Sequence, residues 1–170
     1  MIKVIGIDPG LASTGIGIVK GEGSRIDNYS FGSIQTSKNN SLPDRLDQIF
    51  SKITRLLKEE NPDLMVVEDS FSFQKNPKSG LTLGKVAGVV LLAGHRGKIP
   101  VVEISVREAK QVLTGNGNAS KDQLEKAVRN VLNTKIPIRP HHASDAIGLA
   151  IIGIYRYQGK DFSAERDSIL

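Results

Sequence analysis

Cysteine is absent from the chain, which therefore makes no disulfide and offers no thiolate to a metal. That absence fits a reducing compartment, and a cytoplasmic location is expected. Long apolar runs are absent too: no stretch approaches the roughly 18 apolar residues that would suggest a membrane span. The N-terminus passes directly into a strand pattern, so no secretory leader is expected. The sequence contains no internal repeat and no low-complexity segment.

What is present is an ordinary globular balance, 39% hydrophobic and 24% charged over 170 residues, enough for one domain around one core. The domain is expected over residues 1–158, with a polar, loose tail over 159–170. Charge is spread unevenly. Residues 1–70 carry 8 Lys/Arg against 10 Asp/Glu, net −2, and residues 71–170 carry 15 against 8, net +7. A basic half joined to an acidic half suggests a polyanion partner, with the carboxylates gathered for a separate purpose.

The first ten residues organise the rest. Val4, Ile5 and Ile7 form a nearly all-apolar strand that belongs mid-sheet, covered on both faces, and Gly6 leaves room for a close neighbour. Asp8, Pro9 and Gly10 end the strand in a turn, and Pro9 stiffens the backbone that carries Asp8 at the lip of the sheet. Strands over 14–20 and 26–34, joined by a turn at 21–24, complete an antiparallel meander. Ser41 then caps a helix whose apolar face is Leu42, Leu46, Ile49, Ile53 and Leu56, ending near Asn61 and Pro62. Residues 64–67 make a second all-apolar strand that runs into Glu68. A strand reached through a helix is a crossover, so this one is expected parallel to the first.

A loop over 71–80 holds Phe71, Phe73, Lys75 and Lys78. The helix expected over 81–96 has Gly80, Gly84 and Gly88 four apart along one side. Glycine weakens a helix by about 1 kcal/mol per residue, so that side is expected to meet another backbone closely, through internal packing ahead of a subunit interface. A strand over 99–104, a helix over 106–113 carrying Arg107 and Lys110, a glycine-rich loop over 114–121 and a helix to 133 follow. A linker over 135–140 leads to an apolar helix over 144–157. The fold class is α/β, a five-stranded mixed sheet flanked by helices.

Asp8 and Glu68 each end an apolar strand, and parallel neighbours would place their carboxylates side by side where open sheets bind ligands. Asp145 lies in the first turn of the last helix, and His142 one turn back on the same side. Carboxylates gathered without matching cations repel, and oxygen ligands suit Mg²⁺ or Mn²⁺; two such ions can clamp both oxygens of a phosphoryl transfer. The loop around Gly115 and Lys121 only superficially resembles a nucleotide-binding loop. Ser120 stands where the second glycine is needed, Asp122 follows the lysine in place of Ser or Thr, and no apolar strand precedes it. Contact with a nucleic-acid backbone accounts better for Lys121.

The chain resembles the RuvC family of bacterial crossover (Holliday) junction endodeoxyribonucleases, with a ribonuclease-H-like fold. The likeness runs from Ile2 to about Tyr157. It is carried by Gly6 to Gly10 with Thr14 and Gly15; Val67 and Glu68; Lys75, Asn76, Ser79, Leu81, Leu83, Gly84 and Gly88; Lys110 and Gln111; Thr114 to Gly117 with Lys121; and Ser144, Asp145 and Ala146. The resemblance implies that Asp8, Glu68 and Asp145 are catalytic metal ligands for Mg²⁺, two ions per site, with Mn²⁺ as a substitute. His142 stands where many members have Asp, and is implied as a fourth ligand. Lys110 and Lys121 are implied as contacts to scissile phosphates or developing charge, and Phe71, in competition with Phe73, as the aromatic that stacks on bases. Lys75, Lys78 and Arg107 are further expected DNA contacts. A homodimer acting on a four-way junction, together with branch-migration proteins, is also implied. The alternatives are a related nuclease on another structured nucleic acid, or a junction-binding protein without catalysis.

Overall fold

The computed structural model describes residues 1–69 and 77–157. Phe71, Phe73 and Lys75, with the tail expected over 159–170, lie outside the described residues, as does the side chain of Lys78. The described elements are β1 (Ile2–Asp8), β2 (Ser13–Glu22), β3 (Arg25–Gln35), α1 (Leu42–Glu60), β4 (Leu64–Asp69), α2 (Pro77–Arg96), β5 (Val101–Ser105), α3 (Val106–Thr114), α4 (Lys121–Val131) and α5 (His141–Tyr157). One sheet has the order β3-β2-β1-β4-β5. β1 pairs antiparallel with β2 and parallel with β4, and β4 pairs parallel with β5. None of the described helices is long and apolar enough to cross a membrane.

Period-two alternation assigns the two faces of the sheet. Ile5, Ile7, Ile16, Ile18, Met65 and Val67 face α1 and α2, packing with Ile49, Ile53, Val86, Val90 and Ala93. Val4, Val19, Leu64 and Val66 face the other way, onto Ala143, Ile147, Ala150, Ile151 and Ile154 of α5 and onto Leu124 and Val128 of α4. α1 has the expected local chemistry: the Ser41 hydroxyl accepts from the Asp44 N–H, and Asn61 closes the helix in the left-handed conformation at φ 43°.

The helix α5 lies with its backbone directly on the strands. A Cβ on Gly6 would stand 1.9 Å from the Ala146 carbonyl oxygen, on Gly15 2.0 Å from the His142 carbonyl oxygen, and on Gly17 2.4 Å from the Ile147 nitrogen. Gly6 and Gly17 are also cross-strand partners, so the bare patch is continuous across β1 and β2.

Several expectations need correction. Gly84 and Gly88 do not pack inside the chain: both are exposed, and a Cβ on either would meet nothing within 4 Å. The inward side of α2 is the one bearing Val86, Val90 and Ala93. The close approach on this helix falls at Gly94, where a Cβ would meet the Met65 Cε at 2.3 Å and the Val101 Cγ2 at 2.6 Å. α2 begins at Pro77 and α5 at His141, each earlier than expected, because a proline and a pair of histidines give little apolar periodicity to read. The β2–β3 turn is tighter than expected, since pairing continues to Glu22 and Arg25 across an irregularity at Lys20/Gly21.

Candidate active site

Ile7 and Val67 are partners in the β1–β4 register, so the next residues, Asp8 and Glu68, end adjacent strands side by side. Each follows the parity of a residue that faces α5, Gly6 and Val66 respectively, so both carboxylates point to that side. Both are buried, at 6% and 8% exposure. Thr14, fully buried, steadies the turn after Asp8: its hydroxyl donates to the Gly10 carbonyl at 2.8 Å and accepts from the Gly10 N–H at 3.4 Å.

α5 delivers the other two candidate ligands, held close by the glycine patch. His142 Nδ1 lies 2.5 Å from Asp8 Oδ2. Asp145 follows one turn along, and its Oδ1 is buried without a hydrogen-bond partner. Lys121 is the first residue of α4, whose start is fixed by a reciprocal cap: the Ser120 hydroxyl accepts from the Gln123 N–H, and the Gln123 side chain accepts from the Ser120 N–H. Asp8, Glu68, Lys121, His142 and Asp145 line one cavity of about 670 Å³, walled by Leu11, Leu83 and Val106.

Crowding dominates the electrostatics. Burial, reinforced by the charge of Asp8, a hydrogen bond with Asp8 and the charge of Asp145, pushes the Glu68 carboxyl up to about 10. Burial and the Asp8 charge likewise raise Asp145, against the opposing pull of Lys121 and His142. His142 is raised by its hydrogen bond to Asp8, against the effect of burial. The raised Glu68 and Asp145 carboxyls and the raised His142 each favour a bound proton, which lessens repulsion within the cluster. In that paired state no group of three or more His, Asp or Glu among the described residues is arranged to hold a metal ion. The donor set nevertheless fits a hard divalent cation. It offers carboxylate oxygens and one imidazole, mutual repulsion that a cation would relieve, and the buried Asp145 Oδ1, which has no hydrogen-bond partner among the described residues.

A pH dependence follows for the chelated protein. Glu68 titrates at 4.5 ordinarily and at about 10 in the fold. A raised acid penalises folding progressively as pH climbs from the lower value to the higher, by at most about 1.4 kcal/mol per unit. The His142 contribution has the same sense, complete below its ordinary 6.5 and lost as pH rises through its higher folded value. Tm measured in EDTA should therefore fall between pH 5 and pH 9, and Mg²⁺ should flatten the decline while releasing protons on binding. A Tm that rises over this range in EDTA would refute the shared-proton description.

Two of the remaining expected residues, both described, lie apart. Arg107 is exposed and Lys110 half-buried on α3, and neither lines the cavity. Arg107 instead packs beside Gly117, where a Cβ would meet its Cγ at 3.0 Å. Sequence reasoning gave no role to Ser79 and Thr82, which line the cavity from the first turns of α2. Their spacing of three is a helical-face signal, hidden because residue 79 falls in the stretch expected as a loop.

A family model described as crossover junction endodeoxyribonuclease RuvC matches residues 4–153. A crossover junction endodeoxyribonuclease RuvC from Brevibacillus brevis is 39% identical over 150 residues, 88% of this chain and 90% of that protein. The structure of Thermus thermophilus RuvC in complex with a Holliday junction substrate superposes with a TM-score of 0.83 at 28% identity, covering 91% of this chain and 94% of that one. The yeast mitochondrial Holliday junction resolvase Ydc2, 14% identical with a TM-score of 0.57 over 98% of this chain and 86% of its own, shares the fold.

Proposed function

Since the chain belongs to the RuvC family of crossover junction endodeoxyribonucleases and is an enzyme of that activity, we propose that it resolves four-way DNA junctions by paired symmetric nicks in recombination and repair, using the cavity at the ends of β1 and β4. The observation that carries this reading is the meeting of Asp8, Glu68, His142 and Asp145 with Lys121 in one cavity. The Holliday junction bound by the Thermus thermophilus relative supports the choice of substrate.

Asp8, Glu68, His142 and Asp145 would hold Mg²⁺, two ions per site, or Mn²⁺ in its place. When bound, such ions activate water and stabilise the attacking and leaving oxygens of the phosphodiester. The chain's own groups do the rest. Before an ion enters, Asp8 orients the His142 ring through Nδ1. Lys121, on a capped helix start, stabilises charge on the scissile phosphate. Arg107 and Lys110 hold the DNA backbone further out, with Lys75 and Lys78, and Phe71 or Phe73 stacks on bases at the crossover.

Two symmetric nicks require two sites, and the outward side of α2 suits a homodimer contact. Leu81 is 71% and Leu92 45% exposed there, beside the open Gly84 and Gly88. A cytoplasmic setting and branch-migration partners complete the proposal. The test compares cleavage in Mg²⁺ of a four-way junction, a fork, a linear duplex and an RNA–DNA hybrid. Paired cuts confined to the junction are expected. Equal cutting of the hybrid or duplex would mean a different nucleic-acid substrate, and binding without metal-dependent cutting would mean a junction-binding protein.

A further inference from the structure

Glu125 is a charged residue closed off from solvent, 4% exposed and one turn along α4 from Lys121. Its neighbours on the helix, Leu124 and Val128, belong to the core under α5. Glu125 Oε1 accepts from the Ile138 N–H at 2.9 Å, and that bond is buried. The same oxygen lies 2.8 Å from Arg129 Nε, a charge contact rather than an aligned hydrogen bond. Ile138 is itself 1% exposed, and the chain runs from it through Arg139 and Pro140 into His141 and His142. The Glu125 carboxylate thus joins the helix that starts with Lys121 to the segment that feeds His142 and Asp145 into the cavity, beside a longer, exposed pair of Asp122 with Arg139 at 3.9 Å.

Apolar packing of Leu124 and Val128 sets how deep α4 sits, but it is not directional. A hydrogen bond to a buried charge fixes both the axial position and the rotation of the helix. Burying that charge costs several kcal/mol, and well-packed apolar groups in place of a buried ion pair are often neutral or stabilising. Stability alone therefore gives a weak reason for an acid here. The carboxyl is well solvated by protein: burial would push it up, but the Ile138 N–H and Arg129 outweigh burial and leave it below its ordinary value.

We propose that Glu125 is a positioning residue, which holds Lys121 in working register with His142 and Asp145 by tying α4 to the backbone at Ile138. The inference rests on the cavity being the catalytic centre and on Lys121 acting there. Glu125→Gln keeps an oxygen for the Ile138 N–H, Glu125→Asp keeps the charge but withdraws it by one methylene, and Glu125→Ala removes the tie.

The experiment measures single-turnover cleavage and junction affinity for these variants, Lys121→Ala and the Lys121→Ala/Glu125→Asp pair, below the Tm of each. Because small displacements of a positioned group are costly, Glu125→Asp and Glu125→Ala should slow cleavage about tenfold or more with affinity unchanged, and Glu125→Gln should stay within about threefold of wild type. In the Lys121→Ala background, Glu125→Asp should cost less than about twofold, since residues acting through one group are non-additive. If Glu125→Ala does not fold, the Asp and Gln variants carry the comparison. Multiplicative losses in the pair, or Asp and Gln variants cutting at equal rates, would overturn the proposal. A wild-type rate for Lys121→Ala would overturn the role of Lys121 first, and the inference with it.

Discussion

Asp8→Asn, Glu68→Gln and Asp145→Asn should each slow junction cleavage by at least about a hundredfold, because a bound ion contributes several kcal/mol to the transition state and each 1.4 kcal/mol or so is tenfold in rate. Junction affinity in Ca²⁺ or EDTA should survive, since removing negative charge from a surface that faces phosphates does not weaken the attraction. The three variants should also differ in a way the geometry dictates. Asp8→Asn alone loses the charged partner of His142 Nδ1. Glu68→Gln removes the most strongly perturbed carboxyl of the cluster, so it should stabilise the chelated protein at pH 8 while eliminating cutting. A near-normal turnover for any one of the three would remove that residue from the metal site.

The second large effect is expected from a residue with no functional group. Gly15→Ala would place a Cβ 2.0 Å from the His142 carbonyl oxygen and 2.4 Å from its carbonyl carbon. Both are backbone atoms of α5, so relief requires the helix to move away from the sheet. Overpacking of this kind costs about 1–3 kcal/mol or more, and it shifts His142 and Asp145 away from Asp8 and Glu68. A displacement of even 1 Å can cost about a hundredfold in rate. Cleavage should therefore fall far more than the loss of folded protein explains. Gly84→Ala is the informative contrast, because nothing lies within 4 Å of its would-be Cβ. It should favour the helix by up to about 1 kcal/mol in the isolated subunit and, with α2 as the dimer contact, weaken self-association measured by sedimentation. Equal activity of Gly15→Ala and wild type would show that α5 is not held by the glycine patch.

The contrast between these glycines also shows what the sequence could reveal. β1 and β4 were legible because unbroken apolar runs mean strands buried on both faces, and the intervening helix fixes their parallel relation. From there the pairing of Asp8 with Glu68 follows from register alone. The approach of α5 was only half legible. Gly6 signalled a close neighbour, but the meaning of Gly15 and Gly17 depends on their standing beside β1 in the sheet, a relation between distant residues. Gly84 and Gly88 misled because a glycine row suggests close approach, yet within this chain nothing lies within 4 Å of a Cβ on either. Glu125 gave no signal at all, since an acid on an amphipathic helix reads as a solvated face until Ile138 is seen to fold back onto it.

The most direct test is the anomalous difference map from crystals grown in Mn²⁺. The prediction is density bounded by Asp8, Glu68, His142 and Asp145, with the Asp145 Oδ1 among its ligands and the contact between His142 Nδ1 and Asp8 replaced. Mn²⁺ bound elsewhere on the protein, with His142 Nδ1 still against Asp8 Oδ2, would contradict the assignment of this cavity as the catalytic metal centre.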